Sequence, residues 1–260
     1  LRLSVFGYFC TSFFVTLIAF LYILFIVFKN CPRKNAINLK IEFGWILSYL
    51  KTGFPFMLGA FSLWLLAGVD RWIILNYLNE SEVGVYSVAY RFASVYHPLV
   101  IIPLLNAYTP KIFEKFAQKE YKQKIYHLLS FAIVVFSILA LITPYIAKFM
   151  IDKTYYDALP LIRPLVLGYG IFFLTQAIAS ILIYKKKIKL LTINVLVASF
   201  SNILFNLIFV SRWGLKGSIA AFVLGHLIWF IFTFMQAKRT EKILIKQSVT
   251  VSYTHLRAHE

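Results

Sequence analysis

Acidic side chains are scarce in this chain, which carries 10 Asp and Glu against 27 Lys and Arg for a formal net charge of +17. Charge of either sign is also low, at 14% of residues, where a soluble domain carries about a quarter. With 60% hydrophobic residues gathered into long blocks, the composition is that of the membrane class and not of a water-soluble globule. The two cysteines exclude a disulfide framework. Cys10 lies inside the first apolar block and Cys31 just past its end, so along a helix they would be roughly 30 Å apart. There is no nucleotide-binding glycine loop, no metal-ligand spacing and no nucleophile–base pair, so neither an enzyme nor a cofactor is expected. Nucleic acid is excluded as a partner despite the positive charge, because no soluble body is present to display a basic face.

What the chain has is apolar runs long enough to cross a bilayer, which takes roughly 20 residues. They lie at 5–28, 54–78, 83–110, 125–147, 159–184, 190–210 and 217–237. The connections alternate in charge. Those at 29–44, 111–124, 185–189 and 238–246 hold 17 Lys and Arg, and those at 79–82, 148–157 and 211–216 hold 4. Basic connections stay cytoplasmic, so the alternation orients every span and checks their number. The expected fold is an all-α, polytopic transmembrane helical bundle of about seven spans. Trp45, Tyr49, Trp72, Tyr77, Tyr155, Tyr156 and Trp213 fall near the expected interfaces, as an aromatic belt would.

Charges inside spans are functional candidates by default. Asp70 and Arg71 near the outer end of the second span, and Arg91 in the third, come to a similar depth if a tight turn joins the two helices. Asp70 and Arg71 lie about 100° apart on a helix and cannot face one way. Asp70 is read first as a staple to Arg91, with Arg71 snorkelling outward. The other reading makes Arg71 and Arg91 cations of a cavity that takes phosphate. His97 precedes Pro98, and with Pro103 and Pro110 the helix holds three breakers, so a segmented helix bordering a cavity is expected, with His97 bonded to a backbone carbonyl. Asn194, Asn202 and Asn206 form a polar stripe with Ala198, read as interhelical glue, or alternatively as a cavity wall. The candidate substrate-binding set is therefore Arg71, Arg91, Asp70, His97 and Asn202, with no metal ligand. Thr175, Gln176 and His226 are read as packing groups, and the Lys185–Lys187 run as a topogenic charge that also attracts anionic lipid heads.

Gly53-x-Pro55, the Asp70-Arg71 pair and Gly84-x-Tyr86-Ser87-x-x-Tyr90-Arg91 lie in the stretch LKTGFPFMLGAFSLWLLAGVDRWIILNYLNESEVGVYSVAYRFASV. This resembles the start of the second lobe in polysaccharide (O-antigen or capsule type) flippases of the MATE-like multidrug/oligosaccharidyl-lipid/polysaccharide exporter superfamily. SNILFNLIFVSRWGLKGSIAAFVLGHL is similar to that family's Asn-rich helix, Gly-containing turn and small-residue helix. The resemblance covers about residues 40–239. It implies a two-lobe transporter, with residues 1–30 as the last helix of a first lobe, 31–44 as a cytoplasmic linker and 45–240 as the six-helix second lobe. It further implies flipping of undecaprenyl-diphosphate-linked oligosaccharide across the bacterial inner membrane, with Arg71 and Arg91 as cavity cations. The partners implied are the lipid-linked oligosaccharide, membrane lipids and the missing N-terminal lobe. The start at Leu1 within a membrane segment predicts an incomplete chain, and the polar end 249–260 of the tail 241–260 reads as non-native read-through. A drug/cation antiporter or a peptidoglycan-precursor flippase of the same superfamily is the nearest rival, and a membrane polysaccharide polymerase or ligase a weaker one. The antiporter would use Asp70 for ion coupling, yet Asp70 stands beside Arg71. The enzyme lacks an external loop with a His/Asp/Glu cluster.

Overall fold

A computed structural model describes residues 5–30, 43–117 and 121–257, with side-chain surroundings as far as Thr240. The linker expected at 31–44 falls mostly outside these residues, as do Cys31, the side chain of Trp45 and the side chains of the tail 241–260. Two compact units divide the chain at Leu1–Tyr49 and Leu50–Glu260. The first contains helix α1 (Val5–Asn30) and the start of α2 (Phe43–Tyr77). Phe13, Ile18, Leu21 and Phe25 are all exposed on α1, which is apolar on every side, the pattern of a bilayer span.

The second unit contains the rest of α2, then α3 (Glu80–Ser94), a π-helical turn (His97–Ile101), α4 (Ile102–Ala117) and α5 (Tyr121–Met150). A 3-10 turn (Lys153–Ala158), α6 (Leu159–Tyr184) and α7 (Ile188–Arg257) complete it, with no strand among the described residues. Among the described residues, six helical stretches are long and apolar enough to cross a membrane. The last, Ile188–Thr240, has 53 residues, roughly 80 Å of helix against a hydrocarbon core of about 30 Å. It breaks at Gly214, whose φ of 56° and ψ of −137° lie where a side chain would clash. The sixth and seventh runs of the sequence are thus the two arms of α7, 188–213 and 215–240.

The arms fold back on each other. A Cβ on Gly217 would lie 2.2 Å from the Phe209 carbonyl oxygen, so only glycine allows this approach. Farther from the turn, Gly225 lies against Asn202, and Asn194 donates to Thr233 at 3.2 Å. Numbers that rise on one arm as they fall on the other define an antiparallel pair. Helix α2 and the first arm run in parallel, because the Thr192 hydroxyl donates to the Pro55 carbonyl, Asn206 donates to Asp70, and Gly214 lies beside Leu78. Helices α2 and α3 form a hairpin, with Asn79 as the N-cap of α3 accepting from the Glu82 amide at 2.9 Å and Glu80 and Glu82 in its first turn.

These pairings sort the connections onto two ends. At one, Phe116 stacks on Tyr121 and Tyr184, Lys185 lies over the Phe116 ring, Lys51 shares a pocket with Lys186, and Lys122 shares one with Lys238. At the other, Leu78 meets Gly214 and Gly84 meets Tyr155. The Lys-rich connections of the second unit are therefore together at one end, the arrangement that the positive-inside rule expects of a single membrane face. Trp72, Tyr77, Tyr155 and Trp213 are exposed near the opposite end.

The partition of side chains is that of a protein dissolved in lipid. Phe56, Phe61, Trp64, Leu141, Phe149 and Phe200 are exposed, while Ser62, Asp70, Asn194, Ser199, Asn202, Asn206 and Thr233 are buried. Hydrocarbon solvates the first set and offers no hydrogen bond to the second, which must find partners inside. Ser62 and Thr175 do so on carbonyls one turn back, at Leu58 and Ile171. The chain is a multi-pass membrane protein.

Candidate functional site

The α2–α3 hairpin sets Asp70 and Arg71 against α3, and the helical rotation between adjacent residues sends them to different neighbours. Asp70 is fully buried. Its Oδ2 accepts from the Tyr86 hydroxyl at 2.6 Å and its Oδ1 from the Asn206 amide at 3.0 Å. The same Asn206 amide group reaches Asn202, at 3.1 Å from the carbonyl and 3.2 Å from Oδ1. Four buried side chains on three helical segments thus form one polar chain around a carboxylate.

Arg71 points elsewhere. Its Nη1 donates to the Ala67 carbonyl at 2.9 Å, its Nε to the Ser87 hydroxyl at 3.3 Å, and the guanidinium carbon stands 4.5 Å from the centre of the Tyr90 ring. The side chain is half-buried, and the guanidinium has five N–H donors.

The expected Asp70–Arg91 staple is replaced by Tyr86 and Asn206. Arg91 is five residues past Tyr86, which turns it about 140° around α3, and it is exposed. Among the described residues no ion pair joins Asp70 to Arg91. The residue at the level of Asp70 is Tyr86, because the hairpin turns at Leu78 and Asn79 and both residues lie about eight positions from that turn.

His97 is the N-terminal residue of the π turn. Pro98 and Pro103 have no N–H to continue the ladder, and the Ile102 amide bonds the His97 carbonyl five residues back. The segmentation expected from the prolines is present, but Pro110 lies inside α4 without breaking it. The His97 ring lies 5.4 Å from Phe172 and faces a cavity rather than bonding a carbonyl.

That cavity, of about 320 Å³, is walled by Leu63, Leu66 and Ala67 of α2, Tyr90 and Ser94 of α3, His97, Tyr169 and Phe172 of α6, and Phe222, His226 and Trp229 of α7. It is predominantly aromatic. His226 is buried, with Nδ1 2.9 Å from the Phe222 carbonyl. Arg71 covers the Tyr90 ring one helical turn beyond Ala67, at the outer margin of this space. Of the candidate substrate-binding residues taken from the sequence, only His97 lines it, joined by His226, which was read as a packing group. Asp70 and Asn202 are enclosed between helices, and Arg91 is on the outside. Tyr90, Tyr169, Phe172, Phe222, His226 and Trp229 were not chosen as site residues. Phe222, His226 and Trp229 do stand at i, i+4 and i+7, one face of a helix, but apolar spacing of that kind also marks ordinary packing.

Among the described residues no group of three His, Cys, Asp or Glu side chains could hold a metal. No curated protein and no solved structure matches the chain. The chain does match one family model, that of a polysaccharide biosynthesis protein, over residues 4–114, a stretch that includes Asp70, Arg71, Arg91 and His97 but ends before Asn202 and the α6 and α7 walls of the cavity.

Proposed function

We propose that this chain belongs to a bacterial inner-membrane flippase that moves an undecaprenyl-diphosphate-linked oligosaccharide to the outer leaflet for surface polysaccharide synthesis. The observation that carries the reading is the state of Arg71. It is a guanidinium within a span, half-buried, whose adjacent carboxylate is engaged by Tyr86 and Asn206. An intramembrane arginine that makes no direct ion pair with its neighbouring carboxylate suits a phosphate, to which its fork of donors binds bidentately. The aromatic cavity beside it offers flat apolar faces, and His97, His226, Tyr90 and Tyr169 offer polar edges for an uncharged sugar. The match to polysaccharide biosynthesis proteins points the same way. In the two-lobe arrangement that the sequence resembles, alternating access would open such a space to each leaflet in turn.

The test is complementation. The complete gene, expressed in a polysaccharide-producing strain lacking its own flippase, should restore surface polysaccharide. A protein that reaches the membrane at normal level yet restores none, in strains that make several different repeat units, would sink this reading.

A further inference from the structure

At the basic end of the second unit a second pocket, of about 480 Å³, opens between α2 and the start of α7. Lys51, Lys186, Lys187 and Lys189 line it together with the apolar Pro55 and Phe56, and no acidic residue lines it. All four lysines are exposed. We propose that this pocket is a binding site for the phosphate headgroup of an anionic membrane lipid, with the acyl chains lying along Pro55 and Phe56.

Three observations carry the proposal. The first is the lining itself, four cations over apolar surface at the cytoplasmic membrane boundary, which fits a negatively charged amphiphile better than a free ion. The second is that the two walls are tied together. The Thr192 hydroxyl donates to the Pro55 carbonyl at 3.1 Å, fixing the helix that carries Lys51 against the helix that follows Lys186 and Lys187. The third is the backbone at Lys186, which has φ of 56°. The Lys186 amide bonds the Ile183 carbonyl and the Lys187 amide bonds the Leu182 carbonyl, the pattern of a helix ending that usually places glycine at this left-handed position. A lysine there is strained where glycine would not be. Strain held at a charged residue that lines a pocket points to a use for that charge. Orientation of the spans alone does not require it, because 14 other Lys and Arg mark the basic connections besides Lys186, Lys187 and Lys189.

The proposal stands whether or not the transport reading holds. The experiment measures thermal unfolding of the full chain in neutral detergent, titrated separately with phosphatidylglycerol, phosphatidylcholine and inorganic phosphate at low salt. Phosphatidylglycerol should raise the melting temperature, and the other two should not. Lys186→Gly should raise the melting temperature without lipid, by relieving the strained backbone, while weakening the apparent phosphatidylglycerol affinity roughly fivefold. Lys187→Gln with Lys189→Gln should weaken it further, and Arg212→Gln at the opposite end should leave it unchanged. An equal response to phosphatidylcholine, an equal response to inorganic phosphate, or a phosphatidylglycerol response untouched by Lys186→Gly and the double variant would each overturn the assignment.

Discussion

Asn206 donates to the carboxylate of Asp70 at 3.0 Å across 136 residues of chain, joining α2 to the first arm of α7 deep inside the second unit. The Tyr86 hydroxyl closes the other side of the same carboxylate at 2.6 Å. An acidic group within a span is expensive unless hydrated or partnered, and here the partners come from two other helical segments. That makes Asp70 a tertiary tie before it is anything else.

Removing one partner leaves a buried carboxylate oxygen unsatisfied. Tyr86→Phe and Asn206→Leu should each lower unfolding stability in detergent by about 1–3 kcal/mol. Because both act on one carboxylate, the double variant should depart from additivity by at least about 0.5 kcal/mol. Two neutral single variants would show that Asp70 has no structural role of this kind.

Arg71 and Arg91 separate by exposure, and transport should separate them too. Under the proposed function, Arg71→Gln should reduce surface polysaccharide about tenfold or more at unchanged protein level, the scale of losing a charge-assisted contact. Arg71→Lys should recover only part, since a point charge cannot reproduce the guanidinium fork or its place over Tyr90. Arg91→Gln should stay within about twofold of the parent, as a substitution away from any buried partner does. The reverse ranking would move the anion contact to the other face of α3.

The α7 hairpin depends on Gly217, where an added Cβ would stand 2.2 Å from the Phe209 carbonyl oxygen. Backbone cannot yield there as a flexible side chain could. Gly217→Val should cost at least about 2 kcal/mol of stability, in the range of overpacked cores. Thermal unfolding indistinguishable from the parent would mean that the two arms do not approach as closely as described.

Topology is open to a direct chemical check. With the native cysteines replaced, a membrane-impermeant maleimide applied to intact cells should label Asn79→Cys and Lys153→Cys, which are at the end poor in lysine. Lys115→Cys and Lys187→Cys should react only after the membrane is opened. Labelling of all four from one side would contradict the assignment of the two ends.

The sequence by itself determined the class, the spans and the sorting of the ends. Those properties depend on each segment's exchange with the bilayer and on Lys and Arg staying out of it, both local in the chain. The break of the third run at Pro98 and Pro103 was legible for the same reason, because a missing amide acts within one turn. What only the tertiary structure decided is which side chain answers which. Asp70 is held by Tyr86 and Asn206 and not by Arg91, because register along the hairpin and rotation around α3 select the partner. His226 joins His97 at one cavity because the α7 hairpin returns its second arm toward α6 and the π turn. No short-range pattern encodes that return. It depends on Gly214 reversing the chain and on Gly217 and Gly225 letting two backbones come close, which is a matter of packing between distant segments.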